Sequence, residues 1–239
     1  MTAGFPELPA RVAEIRARIA GAVARGGHAQ AVRLIAVTKT HGPEAVEAAW
    51  AAGITDVGEN KVQEALGKQE ALAHAPCAQG GVRWHLIGHL QSNKAKALPH
   101  FALFHALDRE SILTAADAVG QRTVADGGPP IAVLVQVNIS GEDTKGGYPL
   151  ADVPALAERL HACEGLRVEG VMTMAPFDAE ERVLREVFRG ARAAREILVA
   201  AGHPATELSM GMSGDYELAV EEGATLVRLG TVLFGDRGR

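Results

Sequence analysis

Hydrophobic positions along this chain recur with two alternating periods. Leu8, Val12, Ile15, Ile19 and Val23 fall every three or four residues, with Arg11, Glu14, Arg16 and Arg18 between them. That spacing predicts an amphipathic helix, laid on the body before the first strand, within an extension over residues 1–30. Residues 32–40 then form an apolar, β-branched run between Gly26-Gly27 and Gly42-Pro43, the pattern of a buried strand. Further strands are expected over 54–58, 82–88, 101–107, 131–138, 166–172, 205–210 and 226–229. Helical stretches separate them, over 44–52, 60–73, 92–98, 109–120, 150–163, 179–201 and 216–222. The longest of these stacks Val183, Val187 and Ala191, and Leu184 and Phe188, at i, i+4.

Regular strand–helix alternation implies parallel strands joined by right-handed crossovers. Eight units within 239 residues suit closure into an eightfold barrel of ~250 residues. The predicted fold class is therefore α/β, a single (β/α)8 TIM barrel with an extra N-terminal helix; a doubly wound open sheet is the competitor. No linker or composition shift breaks the series, so residues 1–239 are expected to form one domain.

Composition narrows the function classes. The chain is 47% apolar but only 4% aromatic, so Ala, Val and Leu must fill the core. A formal net charge of −5 disfavours a nucleic-acid footprint and offers no polybasic membrane signal. Residues 1–9 carry neither a basic nor an apolar targeting pattern, and no apolar run approaches membrane-spanning length. Cys77 and Cys163 lie too far apart in sequence to suggest a disulfide framework. A cytoplasmic protein is expected.

In such barrels chemistry collects at the carboxyl ends of the strands, with phosphate sites often built after strands seven and eight. Lys39 ends strand one. Its ammonium either snorkels into water or sits in a partly dry pocket, where a lysine can react with an aldehyde to form a Schiff base. Ser209-Met210-Gly211-Met212-Ser213-Gly214 after strand seven, and Gly230-Thr231 after strand eight, suit an anion through glycine backbone, hydroxyls and helix N-termini. The bland alternative for the first loop is a turn with Ser213 as an N-cap. Arg228, between Val227 and Leu229, points either to the helix layer or into the barrel mouth, where it could face a pyridine nitrogen.

Other patterns are weaker. His85 and His89 lack a third zinc ligand. Gly211-Met212-Ser213-Gly214 is not a nucleophile elbow, and neither a dinucleotide fingerprint nor a P-loop lysine occurs. Lys61, Lys68, Lys94 and Lys96 read as solvated helix faces.

Seven segments together resemble the pyridoxal-phosphate homeostasis protein family, single-domain relatives of the alanine racemase barrel. They are Ala36-Val37-Thr38-Lys39-Thr40, Gly58-Glu59-Asn60-Lys61-Val62-Gln63-Glu64, residues 84–94, Val135-Gln136-Val137-Asn138-Ile139-Ser140, Gly170-Val171-Met172-Thr173-Met174, residues 208–213 and Val227-Arg228-Leu229-Gly230-Thr231. They run in order across nearly the whole chain. The resemblance implies pyridoxal 5'-phosphate held on Lys39 as a Schiff base. It implies that Ser209, Ser213, Gly230 and Thr231, with the Met210 amide, hold the phosphate, that Arg228 faces the ring nitrogen, and that Asn60, His85 and Met172 line the pocket.

The chain departs from the family at His41, where a second lysine is frequent, and at Lys61, where a tyrosine is usual, and the basic C-terminal tail of some members is not expected here. Lys145 keeps one loop lysine. The implied function is a carrier in intracellular pyridoxal-phosphate balance without catalytic turnover, with apo enzymes as recipients and a monomeric state. The alternative is an amino-acid racemase, which needs a second acid/base opposite the lysine; Tyr148 and Tyr216 are the only tyrosines. A third reading is a barrel that kept only an ancestral pocket.

Overall fold

The computed structural model describes residues 4–142 and 146–235; Lys145 lies outside the described residues. Eight strands alternate with helices as the periodicity requires: β1 (Arg33–Val37), β2 (Asp56–Glu59), β3 (Arg83–Leu86), β4 (Leu103–Leu107), β5 (Ile131–Asn138), β6 (Leu166–Met172), β7 (Glu207–Ser209) and β8 (Leu226–Leu229). Each pairs in parallel with its neighbours in chain order. β8 returns to β1, with Ile35 opposite Arg228, so the sheet closes into a (β/α)8 barrel. The strand-like runs are buried on both faces, as a parallel sheet under helices demands.

The surrounding helices are α1 (Leu8–Gly26), α2 (Pro43–Ala51), α3 (Val62–Ala71), α4 (Pro76–Gln79), α5 (Glu110–Ala125), α6 (Val153–Leu160), α7 (Glu181–Ala200), α8 (Tyr216–Glu221) and α9 (Thr231–Phe234). No helix among the described residues is long and apolar enough to cross a membrane.

Several elements differ from the periodicity. The stretch over 92–98 is a 3-10 helix, Ser92–His100, with Pro99 inside it; proline withholds the N–H that an α-helical turn would use. The 150–163 segment divides into a 3-10 turn and α6, which starts with Pro154 in its first turn. α5 runs past Gly120 because that glycine marks a close approach to the Gly165 backbone, which any Cβ would obstruct, and is not a helix stop. A two-residue strand, Tyr148–Pro149, pairs with the end of β5 outside the barrel.

α1 buries Leu8, Val12, Ile15, Ile19 and Ala22, with ~1.5–3 kcal/mol gained for each large aliphatic side chain removed from water. It packs along α8, where Arg18 meets Glu217 at 2.5 Å and Arg25 meets Glu221 at 2.5 Å. Phe5, just before α1, stacks edge-on against His41 and Phe234, its ring centroid 5.6 and 5.1 Å from theirs. This cluster ties α9 to the segment that follows Lys39.

At the amino ends of the strands, charged residues close the barrel. Arg33 pairs with Glu207 at 2.6 Å and approaches Asp56 at 3.7 Å, while Arg83 holds the other Asp56 oxygen at 2.7 Å.

Candidate functional site

At the opposite end, where the strands point their carboxyl termini, a cavity of about 970 Å³ opens. Lys39, Asn60, Ser213, Arg228, Gly230 and Thr231 all line it, so six of the sequence-predicted residues, drawn from strands one, two, seven and eight, converge on one space.

Lys39 is placed by a clamp on its flanking backbone. Thr38 is fully buried, and its hydroxyl donates to Glu59 Oε1 at 2.6 Å. Lys68 Nζ donates to the Thr38 carbonyl at 2.9 Å, to Glu59 Oε1 at 2.6 Å and to Glu64 at 3.1 Å. Glu64 also accepts from the Thr40 amide at 2.6 Å. Thr40 adopts φ +69°, a left-handed conformation that a threonine keeps only when its surroundings enforce it. Lys68 is therefore not on a solvated helix face: it is buried, and its ammonium is spent beneath the strand end. Burial pushes the Glu59 carboxyl above its usual value, against the hydrogen bonds from Lys68 and Thr38 that favour its charge.

Asn60 owes its place to Gly88, whose missing side chain leaves room for the Asn60 backbone. In the loop after β7, Gly211 sits at φ +93°, and a Cβ there would fall 2.7 Å from Ala219 and 2.9 Å from the Tyr216 Cα. Glycine is what lets this loop turn against α8. Ser213 is not an N-cap: its hydroxyl accepts the Gly230 amide at 3.4 Å and links the loops after β7 and β8. The cap position of α8 is Asp215, whose Oδ1 accepts the Met212 amide at 2.6 Å.

Arg228 resolves in favour of the barrel mouth. It is 5% exposed yet lines the cavity. One guanidinium nitrogen donates to the Ser209 carbonyl and hydroxyl at 2.7 and 2.6 Å, and the other to the Thr173 carbonyl at 2.9 Å. Burial lowers its pKa to about 10, offset in part by Asp215, so it remains a cation and a pure donor at neutral pH.

Four expected site residues do not line the cavity. The Ser209 hydroxyl lies beneath the guanidinium and also meets His105 Nδ1 at 2.8 Å, so it supports Arg228 instead of facing an anion. The Met210 amide donates to the Leu226 carbonyl at 3.1 Å, within the barrel. Met172 is buried, and Met174 takes its place at the cavity wall. His85 is buried inside the barrel between Asp56 and His105. Sequence reasoning gave His89 no site role and passed over Asp108; both line the cavity, with His89 Nδ1 2.8 Å from Asp108 Oδ2. Among the described residues, no group of three or more His, Cys, Asp or Glu could hold a metal ion.

Residues 12–238 match the family model described as alanine racemase, N-terminal domain. The chain is 44% identical over 228 residues to the pyridoxal phosphate homeostasis protein of Pseudomonas aeruginosa, covering 95% of this chain and 94% of that one. The chain belongs to the pyridoxal phosphate homeostasis protein family. A second family member, from Escherichia coli, is 36% identical over 95% of each chain. Among solved structures, PipY of Synechococcus elongatus with PLP bound superposes at a TM-score of 0.81, with 35% identity over 95% of this chain and all of that one. The alanine racemase of Corynebacterium glutamicum shares the fold at a TM-score of 0.69 but only 15% identity, and this chain covers 62% of it. The family therefore matches this barrel end to end, whereas the racemase extends well beyond it.

Proposed function

We propose that this chain binds pyridoxal 5'-phosphate on Lys39 and acts in intracellular cofactor balance, as a carrier without catalytic turnover. The observation that carries the reading is the convergence of Lys39 and a buried Arg228 on one cavity beside the loops after β7 and β8. The residues present fit the cofactor: an amine, a fixed cationic donor, and a hydroxyl- and glycine-lined end for an anion. When bound, pyridoxal phosphate supplies an aldehyde for a lysine amine, a pyridine ring that can draw off electrons, and a phosphate dianion.

Lys39 is the residue that captures the aldehyde, and the Thr38–Glu59–Lys68 clamp fixes the backbone from which it reaches. Ser213, Gly230 and Thr231 hold the phosphate, with hydroxyls and with N–H groups at the start of α9. Ser209 and the Met210 amide act one layer below. Arg228 can only donate, so a ring nitrogen facing it stays unprotonated and draws electrons weakly. That disfavours carbanion chemistry.

The carrier reading has further support in the absence of Tyr148 and Tyr216 from the cavity lining. The His89–Asp108 pair is the observation that favours the alternative, a racemase, because it places a titratable group on the cavity wall. In the carrier reading residues 1–239 form one cytoplasmic domain, monomeric, that passes its cofactor to apo enzymes.

Absorption spectra of wild type and Lys39→Ala test the proposal, before and after borohydride. A visible band that borohydride removes, with a pyridoxyl adduct mapped to Lys39, is expected. A colourless protein that takes up no added pyridoxal phosphate overturns it. Racemisation at enzyme-like rates, lost in Lys39→Ala, would replace the carrier with the enzyme.

A further inference from the structure

The barrel interior is not uniformly apolar. Five buried polar side chains from five strands touch in sequence: Asp56 on β2, His85 on β3, His105 on β4, Ser209 on β7 and Arg228 on β8. Asp56 Oδ1 lies 2.9 Å from His85 Nε2, and His85 Nδ1 lies 2.9 Å from His105 Nε2. His105 Nδ1 then lies 2.8 Å from the Ser209 hydroxyl, which is 2.6 Å from the Arg228 guanidinium. The series runs from the arginine-closed amino end of the barrel to the cavity.

Donor and acceptor chemistry orders this series. Burial would raise Asp56, but hydrogen bonds from His85 and Arg83 outweigh it and hold the carboxyl at about 2. An ionised carboxylate only accepts, so His85 must carry its proton on Nε2. From the other end, Arg228 can only donate to the Ser209 oxygen, the Ser209 proton then goes to His105 Nδ1, and His105 donates from Nε2 to His85 Nδ1. Burial, with His85, Arg228 and Arg33 nearby, keeps His105 neutral, so its Nδ1 accepts and Ser209 must donate. The Ser209 oxygen in turn receives Arg228. Arg228 donates to the Ser209 carbonyl and hydroxyl and the Thr173 carbonyl, while Asp215 partly offsets the cost of burying its charge.

We propose that Asp56, itself held by Arg33 and Arg83, is coupled to Arg228 by a one-way hydrogen-bonded relay through His85, His105 and Ser209. The relay fixes which atoms of Arg228 remain to serve the cavity and biases the guanidinium electrostatically from the far end of the barrel. Asp56, His85, His105 and Ser209 are thus positioning residues, and each acts through Arg228. The part that concerns a bound ring rests on the function proposed above; the direction of the relay does not.

Histidine-selective 15N spectra of the cofactor-free protein test the direction. At neutral pH His105 is expected to be protonated at Nε2 and to donate to His85 Nδ1, with the His85 Nε2 proton shared with Asp56. Ser209→Ala is expected to shift the His105 Nδ1 resonance, which loses its donor, and to leave His85 unchanged. An imidazolium at His85, or a His105 protonated at Nδ1, reverses the series and overturns the proposal.

Asp56→Asn tests the electrostatic role in protein loaded with pyridoxal phosphate, because the amide oxygen still accepts from His85 while the charge is gone. The pH midpoint of the bound chromophore is expected to move down, since lost negative charge disfavours protonated forms. An unmoved midpoint overturns the coupling of Asp56 to Arg228, even if the variant melts earlier. A wild type that takes up no cofactor would defeat the proposed function, while the histidine spectra still decide the relay.

Discussion

Replacing Lys68 by Met keeps an unbranched stem of similar length and deletes the ammonium beneath the Lys39 strand end. Two buried partners are then stranded. The Thr38 carbonyl loses its 2.9 Å donor and Glu59, fully buried, loses its cation at 2.6 Å. An unsatisfied buried acceptor costs ~1–3 kcal/mol, and breaking a buried ion pair from one side costs ~3–5 kcal/mol in all. For a chain of this size each kcal/mol lowers Tm by ~2–4 °C, so Lys68→Met should melt about 6–20 °C below wild type.

The pH dependence has a definite sign. A carboxyl raised in the folded state binds protons that the unfolded chain has released. Its contribution therefore falls as pH rises from the unfolded value of ~4.3 through the folded one. Removing Lys68 widens that window. The stability gap to wild type, measured by urea unfolding, should shrink between pH 7 and ~5. Adding Glu59→Gln removes the stranded charge and keeps an acceptor for Thr38, so the double variant should recover most of the loss. A gap below ~1 kcal/mol, or one that acid leaves unchanged, would refute the reasoning.

Other expectations follow from single contacts. Asp56, held near 2, contributes stability above the unfolded carboxyl value of ~3.9 that is lost as pH falls toward 2, worth about 2 kcal/mol; the gap between wild type and Asp56→Asn in acid titrations should close over that range. Gly211→Ala forces a Cβ into Ala219 at φ +93° and should cost ~1–3 kcal/mol, with weakened pyridoxal-phosphate uptake measured by absorbance. Gly88→Ala drives a methyl into the Asn60 backbone, so crystallography should show Asn60 displaced at the cavity wall while Lys39 keeps its position.

The barrel was legible because each strand is a short apolar run between turn signals, and each helix has a 3.6-residue face. Lys39, Asn60, Ser213, Gly230 and Thr231 were findable because they stand where strands end, and Arg228 because a lone cation interrupts an apolar strand. The interior polar series was not. Asp56 and His105 sit inside runs that read as ordinary strand, and nothing local shows that residues 20 to 104 positions apart share a hydrogen bond. Lys68 misleads for a related reason. It lies on a helix with charged neighbours, Glu64 and Glu70, and only the packing of α3 against β2, with the Thr38 carbonyl and Glu59 as acceptors, turns it inward. Ser209 is the last residue of β7 and not part of the loop after it, and its side chain points below the cavity, where it accepts from Arg228.

The aromatic contact of Phe5 with Phe234 has an engineering consequence. Positions 229 residues apart in sequence meet within 5.1 Å of ring centroid distance, so a short peptide bridging this region closes the polypeptide into a ring without disturbing the barrel. New ends could then be opened in the exposed Gly127-Gly128 turn between α5 and β5, since surface turns tolerate such cuts. A circular permutant built this way would keep Lys39 on its first strand in space while moving that strand to the middle of the chain, and would separate the order of synthesis from the geometry of the pocket.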